Sequence, residues 1–171
     1  MRAITPSDFE RYVRQLRLGN ALKRRLSMAS LMDVAWDGYD MFTAITKDGT
    51  AGILFIESSE HLYAVPYEIS AVRNAATGRS KPIICDFCKT WQAGPRAGHI
   101  TFKTKRARSD VIGFLCCADL QCSLHVRDMT TAAKTSRSQL RENITAKQRI
   151  DRLQLSLRAL VERPSLEPLD S

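Results

Sequence analysis

Cys85-Asp86-Phe87-Cys88 and, after 28 intervening residues, Cys117-Ala118-Asp119-Leu120-Gln121-Cys122 decide how this chain is read. Two close cysteine pairs at such a separation are what two short knuckles need to pinch one tetrahedral zinc ion. A two-residue spacer lets a tight turn aim both thiolates at one point. A four-residue spacer suits one ligand at a strand end and the next in the first turn of a helix. Val111 to Cys117 reads as that strand, and the residues from Ala118 onward as that helix. Four thiolates, from Cys85, Cys88, Cys117 and Cys122, close the coordination sphere and leave no position for water, so a single structural Zn2+ is expected.

The fifth cysteine, Cys116, is a rival third ligand. Neighbouring residues on a strand point to opposite faces, so only one of Cys116 and Cys117 can meet the metal, and Cys117 is preferred. His125 lies three residues after Cys122, on the same side of a helix, and could replace a thiolate; a half-buried or surface histidine is the simpler expectation. Buried free thiols explain single cysteines better than five falling in two clusters. A redox dithiol at Cys85 and Cys88 lacks the strand-to-helix setting of such motifs and leaves the second pair unexplained.

The surrounding composition suits a binding protein of the cytoplasm. Of the 171 residues, 44% are hydrophobic and 26% charged, the balance of a chain that can bury a core. No run approaches the ~18 apolar residues of a membrane span, and the N-terminus leads into a helix pattern without a signal-peptide core. A reducing compartment again favours metal over disulfides. The net charge of +8 is uneven: residues 1 to 80 hold ten Lys/Arg against nine Asp/Glu, residues 81 to 171 sixteen against nine. The second half is therefore expected to meet an acidic partner, whether ribosomal RNA, DNA or protein.

The expected fold class is α+β, with N-terminal helices plus a small antiparallel β-meander. Thr5-Pro6-Ser7-Asp8 starts a helix, with Thr5 as cap and Asp8 completing a capping box, and Phe9, Val13 and Leu16 follow at helical spacing. Gly19 interrupts it, and Leu22, Leu26 and Ala29 form a second stripe beside Lys23-Arg24-Arg25, a solvated face. From Met41 the pattern turns to strands: Asp48-Gly49 centres a hairpin between Phe42–Ile45 and Ile53–Ile56, and Leu62 to Val65 is the third strand. Asn74 to Lys81 reads as a linker. The boundary is placed there, between an N-terminal domain of residues 1–80 and a C-terminal domain of residues 81–171. Near the end, Thr145 and Gln148 form a second capping box, and Ile150, Leu153, Leu157 and Leu160 make an apolar stripe that Pro164 ends.

Two stretches together resemble a known family. Ile84-Cys85-Asp86-Phe87-Cys88-Lys89-Thr90-Trp91-Gln92, followed by Gly113-Phe114-Leu115-Cys116-Cys117-Ala118-Asp119-Leu120-Gln121-Cys122-Ser123-Leu124-His125-Val126-Arg127, resembles the treble-clef zinc finger of elongation-factor-G-binding proteins, also called the fibronectin-binding-protein type. The resemblance covers roughly residues 80 to 165. It implies a C-terminal treble-clef finger with following helices, with Cys85, Cys88, Cys117 and Cys122 as ligands and the position of Cys116 free to vary. Relatives that confer fusidic-acid resistance bind elongation factor G through this finger and help release it from the ribosome. The resemblance thus implies binding to elongation factor G and/or the ribosome in translation, and antibiotic resistance with it.

Lys103, Lys105, Arg106 and Arg108 crowd the presumed turn between two strands of the finger, and Arg127 adds charge beyond it. These cations, with Trp91 after the first knuckle, are the candidate partner-binding residues, although loop tips also collect solvated charge and Trp91 also suits packing. The competing class is a zinc-ribbon-like nucleic-acid binder that contacts phosphates of rRNA or DNA. No enzyme is expected, and no small-molecule substrate. None of the three histidines sits in a hydrolase spacing, there is no phosphate-cradling glycine loop, and Asp37 and Asp40 read as loop polarity.

Overall fold

A computed structural model describes residues 1–16, 18–26, 34–103 and 111–162. Helix α1, Pro6–Gln15, starts where its capping residues require: Asp8 donates its backbone N–H to Thr5 Oγ1 (3.1 Å), and Thr5 N–H donates back to the Asp8 carboxylate (3.3 Å). Gly19 caps a separate helix α2, Asn20–Arg25. Ala29, the expected end of its stripe, lies outside the described residues.

Strands β1, Met41–Ile45, β2, Ala51–Ser58, and β3, His61–Ala71, form the expected meander. In the first turn Gly49 takes φ +70°, open to glycine at no steric cost. Asp48 fixes that turn by accepting from Thr46 Oγ1 (2.7 Å) and from the Thr50 N–H (3.4 Å). The second turn is the two residues Ser59-Glu60, at φ 50° and 68°, between the paired Ser58 and His61.

The sheet then continues past the expected domain boundary. After β4, Ile83–Ile84, and β5, Trp91–Gln92, which pair as a small ribbon, come β6, Ala97–Lys103, and β7, Val111–Cys117. β6 pairs antiparallel with both β3 and β7, giving one five-stranded sheet in the order β1-β2-β3-β6-β7. Residue 80 therefore falls between two neighbouring strands of a single sheet. The polar run from Asn74 to Lys81 is a closed turn: Asn74 and Arg79 pair through the backbone (2.7 Å), and Asn74 Oδ1 accepts from Ala76 and Thr77. Small polar composition marks turns and linkers alike.

Three helices follow the sheet: α3, Cys122–Val126, α4, Thr131–Leu140, and α5, Ala146–Val161. α5 begins at the expected capping box of Thr145 and Gln148 and lays Leu153, Leu157 and Leu160 on the inner face of the sheet. There they meet Leu54, Ile56, Val65, Ile100 and Phe102, so this core draws on both sides of residue 80. Pro164 lies outside the described residues. The outer face of β1 to β3 is covered by Ile4, Phe9 and Tyr12, which pack on Phe42, Ala44, Ile53 and Phe55. β2 is thus buried on both faces, and Ile53, Leu54, Phe55 and Ile56 are all fully shielded.

Candidate metal centre

The two knuckles are held by different local devices. The first sits in the turn joining β4 to β5, where Cys85 N–H donates to Thr90 O and Lys89 N–H to Cys85 O, both 2.9 Å. Lys89 accordingly takes φ +59°, a left-handed conformation uncommon for a residue with a Cβ. The second knuckle leaves the end of β7, turns through Leu120 at φ 51°, and presents Cys122 as the first residue of α3. The helix thus starts at Cys122 and not at Ala118, because Leu120 N–H closes a turn onto Cys117 O (3.0 Å) and Asp119 Oδ1 accepts from Gln121 N–H (3.1 Å).

Cys85, Cys88, Cys117 and Cys122 converge with their sulfurs all within 4.8 Å of one another, and none exposes surface. The Sγ separations are 3.7 Å for Cys85–Cys122, 3.5 Å for Cys88–Cys117 and 3.9 Å for Cys117–Cys122. A tetrahedron with zinc–sulfur bonds of about 2.3 Å has edges of about 3.8 Å, so the four sulfurs fit one zinc ion without rearrangement. Their electrostatics also call for a cation. Burial pushes the Cys88 thiol up, but hydrogen bonds from its sulfur neighbours outweigh this and hold it well below the usual range, while Cys122 is held well above it by Cys117, Cys85 and Cys88. Such a cluster cannot ionise fully by itself, whereas a divalent ion deprotonates every ligand.

Cys116 stays outside the cluster. It is fully buried in the core on the inner side of β7, opposite Gly98, and burial pushes its thiol well up. A Cβ on Gly98 would stand 3.1 Å from Cys116 Sγ and from Ile69 Cδ1, so a glycine there gives this thiol its room.

Several supporting residues escaped sequence reasoning. Thr90 Oγ1 lies 2.9 Å from Cys88 Sγ and 3.6 Å from Cys117 Sγ, and accepts from Gln92 Nε2 (2.8 Å), an arrangement that turns the hydroxyl proton toward sulfur. The Asp86 carboxylate accepts from the Leu115 N–H (2.7 Å) while Asp86 N–H donates to Leu115 O (2.7 Å), which docks the knuckle on the outer edge of β7. His125 is 1% exposed, and its Nε2 lies 3.5 Å from an Asp119 carboxylate oxygen. Burial lowers its pKa, yet Asp119 and Cys88 outweigh that and hold it up to about 9. One of its ring nitrogens, Cys117 Sγ and an Asp119 oxygen all lie within 4.8 Å of one another, which places the imidazole beside the four sulfurs as a neighbour of the centre.

The other predicted site residues scatter. Trp91 is half-buried on β5, and its backbone N–H donates to Ser136 Oγ of α4 (2.8 Å). Arg127 turns inward: its Nη1 donates to Asp40 (2.6 Å) and to Ser123 O (3.0 Å), so it fastens α3 to the start of β1 and offers a partner little. Ser123 Oγ reinforces this by accepting from Asp40 and Met41 N–H. Lys103 is exposed and pairs with Glu68 (3.4 Å). Lys105, Arg106 and Arg108 lie outside the described residues.

A closed four-thiolate centre gripped between a β-ribbon knuckle and the first turn of a helix defines a zinc-finger protein of the treble-clef kind, carrying one structural zinc. The chain belongs to the FBP C-terminal treble-clef zinc-finger family, which matches residues 18–163. That match reaches far upstream of the cysteines, as the single sheet does. No curated protein and no solved structure matches the chain significantly.

Proposed function

We propose that this chain is a zinc-stabilised binding module whose partner is elongation factor G, alone or on the ribosome, and that it promotes release of the factor in the cytoplasm. The observation that carries this reading is the closed centre. Four buried thiolates leave the metal no position for a substrate, so the ion serves to hold a surface rigid, which is what a binding module needs. The choice of partner rests on the resemblance of the two cysteine-bearing stretches to elongation-factor-G-binding proteins. The basic second half supports an acidic partner.

Affinity capture from a lysate, after nuclease treatment, tests it: elongation factor G should be retained. A second reading, a phosphate-binding module for ribosomal RNA or DNA, draws on the same charge and predicts that nuclease abolishes the catch. Fusidic-acid tolerance would follow from the first reading and is checked by expressing the chain in a sensitive host. Among the described residues no helix is long and apolar enough to cross a membrane.

A further inference from the structure

Among the described residues the outer face of the sheet is unevenly covered. Ile4, Phe9 and Tyr12 pack over β1 to β3, whereas the side chains of β7 on that side are exposed and those of β6 half-buried to exposed. Strand alternation puts His99, Thr101 and Lys103 of β6 on that side, with Val111, Gly113 and Leu115 of β7. The burial pattern agrees, since Ile100 and Phe102 between the first three are buried. Val111 is 60% exposed and Leu115 37%, two of the few large apolar side chains left open. Between them lies Gly113, where a Cβ would come 2.5 Å from His99 Nε2; the imidazole therefore lies across the glycine and joins the two aliphatic side chains into one strip.

Cations predominate near this strip: on its own face Lys103 is balanced by Glu68 (3.4 Å), and the cations without a carboxylate partner lie at one end of it. At the end of the sheet where β3 stops and β6 begins, Arg73, Arg79, Lys81 and Arg96 are all exposed, and no carboxylate pairs with any of them among the described residues. Val72 N–H donates to Ala97 O (3.2 Å) and Lys81 N–H to Val72 O (3.4 Å), so the segments bearing these cations are fastened together at the Leu115 end of the strip. A fixed surface of this kind loses little freedom on binding.

We propose that the outer face of β6 and β7 docks an acidic protein surface that places an apolar anchor side chain on Val111 and Leu115 and its carboxylates on the Arg73, Arg79, Lys81 and Arg96 rim. This rests on the protein-binding reading above. One feature favours protein over nucleic acid: the exposed Val111 and Leu115 side chains are aliphatic, a surface that an apolar anchor residue covers and a sugar–phosphate backbone does not.

The test uses the full zinc-loaded chain and purified elongation factor G, with binding followed by surface plasmon resonance. One variant carries Arg79→Glu, Lys81→Glu and Arg96→Glu; a second carries Val111→Ser and Leu115→Ser; a control carries Lys47→Glu and Lys134→Glu, exposed cations elsewhere. The rim variant should associate about tenfold or more slowly, with a flatter salt dependence, and the strip variant should dissociate faster, while zinc content and circular dichroism match wild type. The control should bind as wild type does. If wild type binds and both face variants bind with unchanged rates, the face is wrong and the protein-binding reading stands. If wild type does not bind the factor, both fall together. A ribosomal RNA fragment that binds wild type, and loses affinity with the same variants, overturns the choice of a protein occupant.

Discussion

Cys116 and Cys117 are adjacent, both fully buried and chemically identical, and the pleat of β7 alone separates their roles. Cys117→Ser should therefore abolish zinc retention. Cys116→Ser should keep the metal and cost about 1–3 kcal/mol for a hydroxyl placed in an apolar pocket under Gly98. Elemental analysis and thermal unfolding of the two variants check this. His125 supports the centre from outside it, and residues that orient or hydrogen-bond metal ligands typically govern affinity by about 10–100-fold. His125→Leu should hand zinc to a chromogenic chelator faster than wild type by a factor in that range, with His125→Gln intermediate. An unchanged rate would make the imidazole mere filling. Asp48 gives a pH signature. Hydrogen bonding from Thr46, with Thr50 and Arg25 adding to it, brings its carboxyl down from 3.8 to about 2. The stability it contributes is therefore fully present above 3.8 and lost only as pH falls through about 2. Asp48→Asn should unfold at lower temperature than wild type, with a deficit that stays constant from neutrality down to about pH 5.

At the scale of elements, legibility follows how local the cause is. Both capping boxes, the Asp48-Gly49 hairpin and the strand ending at Cys117 could be read directly, because each is set by residues within a few positions of one another. The four ligands were legible for a chemical reason, since thiolate spacing is constrained by the ion. The tight turn at Ser59-Glu60 was not, since neither residue is the Asn or Gly that a pair of positive φ angles prefers. Replacing the pair by Asn-Gly should stabilise the protein by on the order of 1 kcal/mol, measured by denaturant unfolding. Helix α4 was missed because it buries only Ala132, Ala133 and Ser136 and carries no apolar stripe. The Arg127 to Asp40 pair joins residues 87 apart, and nothing in either neighbourhood announces it.

For the whole molecule, the pairing of β3 with β6 matters most, because it makes one sheet and one inner core of segments that composition and charge had divided at residue 80. The zinc ligands belong to that same core, together with Leu54, Ile56 and Val65 from the N-terminal strands and Leu153 and Leu157 from α5. Metal-binding energy here is folding energy shared across the sheet. Chelation should therefore lower hydrogen-exchange protection in β2 and β3 as well as in β6, β7 and α5; protection retained in β1 to β3 would show that the N-terminal strands stand alone. All of this depends on one ion held by four sulfurs, and X-ray absorption at the zinc edge of the purified protein tests that most directly. The account predicts one zinc per chain with four sulfur neighbours at about 2.3 Å and no lighter scatterer in the first shell. A shell containing nitrogen or oxygen, which would bring His125, Asp119 or water onto the metal, or protein that carries no zinc at all, would contradict it.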